Sequence, residues 1–281
     1  MFKLNSLASV SLSALSLLLL QSCATIAQSE SSIPSMGNGT DIVKLGNRPQ
    51  LVGANIAQFE SSPQPFGNGT IRTYVKVNGQ NQPQEVGVII TEGALSNLPH
   101  EDTELTLSLP KQAAFTALDH IGFNWRPYGH MPNPIYGTPH FDIHAYTITS
   151  EEREAITMTG DDADKIYKAP DPSLIPAGYV LAPDSAEPRM GSHWVNTVSE
   201  EFQGHPHGFS HTLIYGFYNG EMAFIEPMIA LDFLNSRQTF EGEFTRPERY
   251  TKDGLYPSQY RIAYNENTQE HVITLTGFIQ P

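Results

Sequence analysis

The residues of this chain that can carry chemistry are concentrated in one stretch. Eight of the 10 histidines fall between His120 and His211, and none lies before His100. The densest run is Gly129 to Tyr146, which reads GHMPNPIYGTPHFDIHAY. Its prolines and glycines make His130 to Thr138 a loop. From His140 the pattern alternates, which predicts a strand with His140, Asp142, His144 and Tyr146 on one face and Phe141, Ile143 and Ala145 on the other. Such a strand packs its apolar face on a core and displays metal-capable groups in a row. Imidazole and carboxylate without thiolate suit Zn²⁺, Mn²⁺, Fe²⁺ or Cu²⁺; zinc is the first assignment. In a straight strand His140 and His144 are about 13 Å apart, so one ion takes neighbours two apart or needs a bulge, with further ligands from elsewhere.

Two sources of further ligands are available: His193 in Met190-Gly191-Ser192-His193-Trp194, and a His211 with Glu226 pair that a hairpin places diagonally on one face. The candidate metal set is His130, His140, His144 and His193, with Asp142 and Glu226 as catalytic carboxylates beside an open coordination position. That arrangement suits metal-assisted hydrolysis or a lyase step with a carboxylate as general base. In the alternative, Asp142 orients a histidine by a hydrogen bond and the histidines are structural. His205-Pro206-His207 reads as an exposed loop, and His100, His120 and His271 are isolated. No G-x-S-x-G, glycine-rich phosphate loop or H-E-x-x-H is present.

The elements that must position these residues are mostly hairpins. Ile71 to Val77 and Glu85 to Thr91 flank an Asn78-Gly79 turn signal; His211 to Pro227 folds about Asn219-Gly220; Ser258 to Tyr264 and His271 to Phe278 form a last pair. With a two-residue loop, Tyr218 faces Glu221, Tyr215 faces Phe224 and Leu213 faces Glu226. Tyr215, Phe217, Tyr218 and Phe224 then form the hairpin's core face. Short helices are predicted after Pro110, from a cap at Ser150, and over Asp161 to Lys168. No βαβ repeat is present, so the expected fold is α+β, mainly antiparallel β with a few short helices, in a single domain.

The amino terminus indicates a compartment. Lys3 is followed by an apolar run to Leu20, the layout of a secretory signal, and the run ends in Leu20-Gln21-Ser22-Cys23. This resembles a bacterial lipobox, which implies cleavage after residue 22, lipidation of Cys23, the chain's sole cysteine, and membrane attachment through that lipid. Ala24 follows, which suggests the periplasmic face of an outer membrane. Residues 23–64, rich in Ser, Gln and Gly, read as a flexible tether, and order is expected from near Thr70, with the domain spanning 65–281. Met36-Gly37-Asn38-Gly39-Thr40 recurs as Phe66-Gly67-Asn68-Gly69-Thr70, a local duplication. Thirty acidic against 16 basic residues give a formal charge of −14, which argues against a nucleic-acid partner; a homo-oligomer is compatible with the chain.

The GHxPxPxYxxPHFDxHxY and IYGFYxGxxxFxEPM motifs, at Gly129 to Tyr146 and Ile214 to Met228, resemble a family of uncharacterised secreted bacterial proteins and lipoproteins, some under extracytoplasmic sigma-factor control. The resemblance implies that His130, His140, Asp142, His144, His193 and Glu226 are the positions on which the family's motifs centre, and that His205, His207 and His211 are less typical. It implies no reaction. Two functions stand: an envelope lipoprotein with a His/carboxylate metal site acting as a hydrolase or lyase, or a non-enzymatic, ligand-binding or self-assembling envelope stress protein.

Overall fold

The computed structural model describes residues 50–51, 56–204 and 209–281. Its strands are β1 (Gln50–Leu51), β2 (Ile56–Glu60), β3 (Gln64–Phe66), β4 (Gly69–Asn78), β5 (Pro83–Thr91), β6 (Thr103–Ser108), β7 (His120–Arg126) and β8 (His140–Tyr146). They continue with β9 (Tyr179–Leu181), β10 (Ser192–Asn196), β11 (His211–Tyr218), β12 (Glu221–Ala230), β13 (Phe240–Glu243), β14 (Gln259–Asn265) and β15 (Glu270–Thr276). The helices are single turns: α1 (Asn133–Tyr136), α2 (Ser150–Glu154), α3 (Asp162–Ile166) and α4 (Leu231–Asn235).

The strands form two sheets with antiparallel pairing throughout. The first runs β1-β2-β4-β5-β15-β14-β13 with β3 also on β4, and the second runs β6-β7-β8-β12-β11-β10-β9. One hydrophobic core joins them: Val75, Val86, Val88, Ile90 and Ile273 of the first sheet share it with Phe123, Phe141, Ile143, Tyr215 and Ile225 of the second. Phe66 of the first sheet meets Phe123 edge-on, with ring centroids 5.5 Å apart. Each sheet therefore turns one face inward, and period-two alternation decides which side chains remain on the outer face.

The antiparallel β architecture with short helices and the three expected hairpins are found, and β8 alternates as the sequence predicts. Four local expectations are corrected. Order begins before Thr70: Ile56–Glu60, inside the expected tether, pairs with Tyr74 to Asn78 because Ala57 and Phe59 have core to pack on. The segment after Pro110 makes only a 3-10 turn, Lys111–Phe115, and the chain is back in strand at His120. α2 is capped by Thr149, not Ser150; its hydroxyl accepts from the Glu152 amide while the Glu152 side chain accepts from the Thr149 amide.

The fourth correction decides the site. The Asn219-Gly220 turn forms with both φ angles positive, 54° and 82°, as a tight hairpin of this type requires. β12, however, holds one extra residue, Ala223, between the pairs Phe217↔Met222 and Gly216↔Phe224. Beyond that bulge the register moves by one, so Ile214 and not Leu213 faces Glu226. His211 consequently shares the inner face with Leu213 and Tyr215, opposite to Glu226, and Phe224 leaves Tyr215 for the outer face. The signal segment, Cys23, the first Gly-Asn-Gly copy, His205 and His207 lie outside the described residues. Among the described residues no helix is long and apolar enough to cross a membrane.

Candidate metal centre

The outer face of the second sheet carries the histidines. β8 supplies His140, Asp142 and His144, all at most 1% exposed. β12 runs beside it with Ile225↔Ala145 and Met228↔Asp142 paired, which sets Glu226 opposite His144. His193 comes from β10, two strands further on, where it pairs with Gly216 of the intervening β11. Gly216 is required there: a Cβ would lie 2.1 Å from the Phe224 ring. Phe224 occupies that space and packs against both His144 and His193, with centroids 4.7 and 5.3 Å away. His130 reaches in from the loop after β7. Its amide donates to the Tyr136 carbonyl, and Tyr136, buried, donates its hydroxyl to Glu201, which pins α1 and the loop over the sheet.

These side chains form two clusters. One ring nitrogen each of His144 and His193 and an oxygen of Glu226 lie within 4.8 Å of one another; so do the corresponding atoms of His130, His140 and Asp142. The expected single set of four histidines is thus divided, for the reason the strand rise implies: His140 and His144, four residues apart on β8 and about 13 Å along it, cannot reach one point. Both carboxylates stand among the ligand atoms instead of beside an empty position.

Backbone carbonyls orient three of the four imidazoles. His140 Nδ1 is 2.7 Å from the Thr138 carbonyl, His130 Nδ1 is 2.9 Å from that of Met131, and His193 Nδ1 is 2.5 Å from that of Ser185. A carbonyl only accepts, so each Nδ1 carries the proton and each Nε2 presents a lone pair, the tautomer that metal-ligating histidines commonly adopt. His144 has no partner on either nitrogen.

The distances between ligand atoms are informative because they are short without being hydrogen bonds. His144 Nε2 is 3.3 Å from Glu226 Oε1, His193 Nε2 is 3.8 Å from Glu226 Oε2, and His140 Nε2 is 3.0 Å from Asp142 Oδ1. Yet His144 Nε2, His140 Nε2, Asp142 Oδ1 and Glu226 Oε2 lack any aligned hydrogen-bond partner. His140 Nε2 and His144 Nε2 are within reach of a carboxylate oxygen yet out of line with it. Ligands about 2.1 Å from a shared tetrahedral ion are about 3.4 Å apart and aim at a third point in this way.

Burial and charge separate the clusters. Burial, reinforced by Asp142 and Glu187, pushes the Glu226 carboxyl well above the usual range. Burial likewise pushes His144 and His193 down. Burial alone would raise Asp142, but His140 and the neighbouring histidines outweigh it and hold that carboxyl below its ordinary value. Arg126 adds to this: its Nε is 3.2 Å from Asp142 Oδ2, while its two Nη atoms hold Asp102 at 2.8 Å and Glu187 at 2.9 Å.

A cavity of about 90 Å³ opens between the clusters, lined by His130, Asp142, His144, His193, Glu226 and Arg126 among others. It has room for several waters or one small ligand. A wider groove of about 820 Å³ on the outer face of the first sheet holds Arg72, Lys76, Glu60 and Glu270. There Arg72 pairs with Glu60 and Glu270, and Lys76 with Glu85, so its charges are met within the protein.

All six candidate site residues therefore lie on one face, while His211 lies on the other, where its Nδ1 meets the Tyr260 hydroxyl at 2.9 Å. Arg126 and the carbonyls of Thr138 and Ser185 were not foreseen. The alternation in His120 to Arg126 would have revealed Arg126, which pairs with His140 across β7 and β8. Residues 78–125 match the family described as TTHB210-like, hypothetical protein TTHB210, a segment that ends one residue before Arg126 and contains none of the six. No curated protein and no solved structure matches the chain.

Proposed function

We propose that this chain is an exported, lipid-anchored envelope protein whose β-rich domain holds a divalent cation on His144, His193 and Glu226. The observation that carries the metal is the off-axis approach of His144 Nε2 to Glu226 at 3.3 Å, with both His144 nitrogens and Glu226 Oε2 partnerless. A buried carboxyl with no salt-bridged Lys or Arg among the described residues, beside two imidazoles of which that of His144 is out of line with it, is a donor set that a dication satisfies. Zinc suits two imidazoles and one carboxylate, with a fourth position left for solvent. All three ligands line the cavity. A cation there would polarise a water or a carbonyl oxygen, the chemistry of metal-assisted hydrolysis or a lyase step. The anchor is supported by the apolar run that ends at Cys23.

The full chain, purified from membranes without a histidine tag, is expected to show acyl mass on Cys23 and bound zinc. Glu226→Gln and His193→Ala should each lose one zinc per chain. An intact mass without lipid would overturn the anchor. Zinc absent from the parent, or unchanged in both variants, would overturn the centre.

A further inference from the structure

We infer that His130, His140 and Asp142 form a second, separate divalent-cation site. The inference rests on the reading of this face as metal-binding, and four observations of the second cluster carry it.

The ligand atoms converge within 4.8 Å. Carbonyls of Met131 and Thr138 hold the Nδ1 protons of His130 and His140, so both Nε2 lone pairs are free. His140 Nε2 and Asp142 Oδ1 are 3.0 Å apart with side chains only 0% and 2% exposed, yet neither atom has an aligned hydrogen-bond partner. A buried nitrogen and oxygen this close and misaligned are directed at a common third position.

Charge is the fourth observation. Arg126 at first sight disfavours a cation, but it is shared among three carboxylates, those of Asp102, Asp142 and Glu187. Three anions against one guanidinium leave two negative charges, which one dication would neutralise. Arg126 holds Asp142 by Oδ2 alone, and that contact fixes the carboxylate while leaving Oδ1 for the ion. His130, half-buried and lining the cavity, provides the way in.

Asp142 and His144 are two residues apart on β8, about 6.6 Å along the strand. Metals that share a bridging ligand in two-metal hydrolases are about 3.5–4 Å apart, so these cations bind side by side, each on its own ligands and both facing one cavity.

The full chain, stripped with a chelator and equilibrated with Zn²⁺, tests this by elemental analysis. Two zinc per chain are expected, falling by one in Asp142→Asn, by one in His130→Ala and by one in Glu226→Gln, with both lost in the Asp142→Asn, Glu226→Gln double variant. Near-UV circular dichroism checks the fold, and His130→Ala, in a half-buried loop, carries the test if Asp142→Asn fails to fold. One zinc that survives Asp142→Asn and His130→Ala but not Glu226→Gln would overturn this site and leave the proposed function standing. One zinc lost in Asp142→Asn and His130→Ala but kept in Glu226→Gln would support this site and overturn the other. No zinc in the parent overturns both.

Discussion

Two clusters built from the same residue types stand side by side on β8, and they differ in how their carboxylates are met. Asp142 has Arg126 at 3.2 Å and is held below the usual carboxylate range by its histidines. Glu226, equally buried, has only His144 and His193 near its oxygens, and burial drives its carboxyl upward. The difference teaches that convergence of donors and stability of the empty site are separate properties. The Asp142 cluster has Arg126 as a counter-charge and still presents an Nε2 and an Oδ1 without an aligned partner. In the Glu226 cluster burial, with Asp142 and Glu187 nearby, disfavours the ionised carboxyl and outweighs Arg126.

The comparison breaks most visibly if Arg126 is removed. Arg126→Met should destabilise the chelated protein by about 3–5 kcal/mol in urea unfolding, the usual cost of leaving one partner of a buried pair uncompensated. Zinc should recover more of this loss than it adds to the parent, since a cation replaces the missing charge. A loss under about 1 kcal/mol would show that Asp142 does not depend on Arg126, and the asymmetry between the clusters would fall.

Much of this face was legible in the sequence, and its failures have local causes. Period-two alternation in His140 to Tyr146 placed three candidate ligands on one face, and the strand rise already argued against one ion for His140 and His144. The Asn219-Gly220 turn was correct, yet the bulge at Ala223 reversed the face of everything beyond it. A bulge has no simple sequence signature here, because Ala223 alternates as well with the bulge as without it. The carbonyls of Thr138 and Ser185 carry no side-chain signal at all. Ile56–Glu60 was assigned to a tether because its polar residues hide the pairing of Ala57 and Phe59 with β4.

His211 supplies a control on the other face of the same sheet. It lies among Phe233, Phe240 and Tyr260, and burial pushes it down to about 4. A depressed folded value means that its contribution is complete above the unfolded value near 6.5 and is lost as pH falls toward 4. In chelator, the parent should therefore lose about 3 kcal/mol more than His211→Phe between pH 7 and pH 4. Equal losses would show that His211 is charged in the native state. Such a result would remove the contrast between a histidine kept neutral by apolar packing and those of the two polar clusters.

The smallest effect is the sharpest test of the comparison. Glu226 has a raised folded value, so its contribution is complete below the unfolded carboxyl value and declines as pH rises through the folded one. Glutamine reproduces the protonated shape and cannot ionise. In chelator at pH 7, Glu226→Gln should change stability by less than about 1 kcal/mol, and toward greater stability, whereas Asp142→Asn forfeits the Arg126 contact and destabilises. Zinc should then reverse the order, stabilising the parent, which has two sites, more than Glu226→Gln, which keeps only the Asp142 site. A large loss for Glu226→Gln in chelator would mean that Glu226 is an ionised partner of His144 and His193. The two clusters would then be alike in holding an ionised carboxylate met by charged neighbours, and the contrast between them would fall.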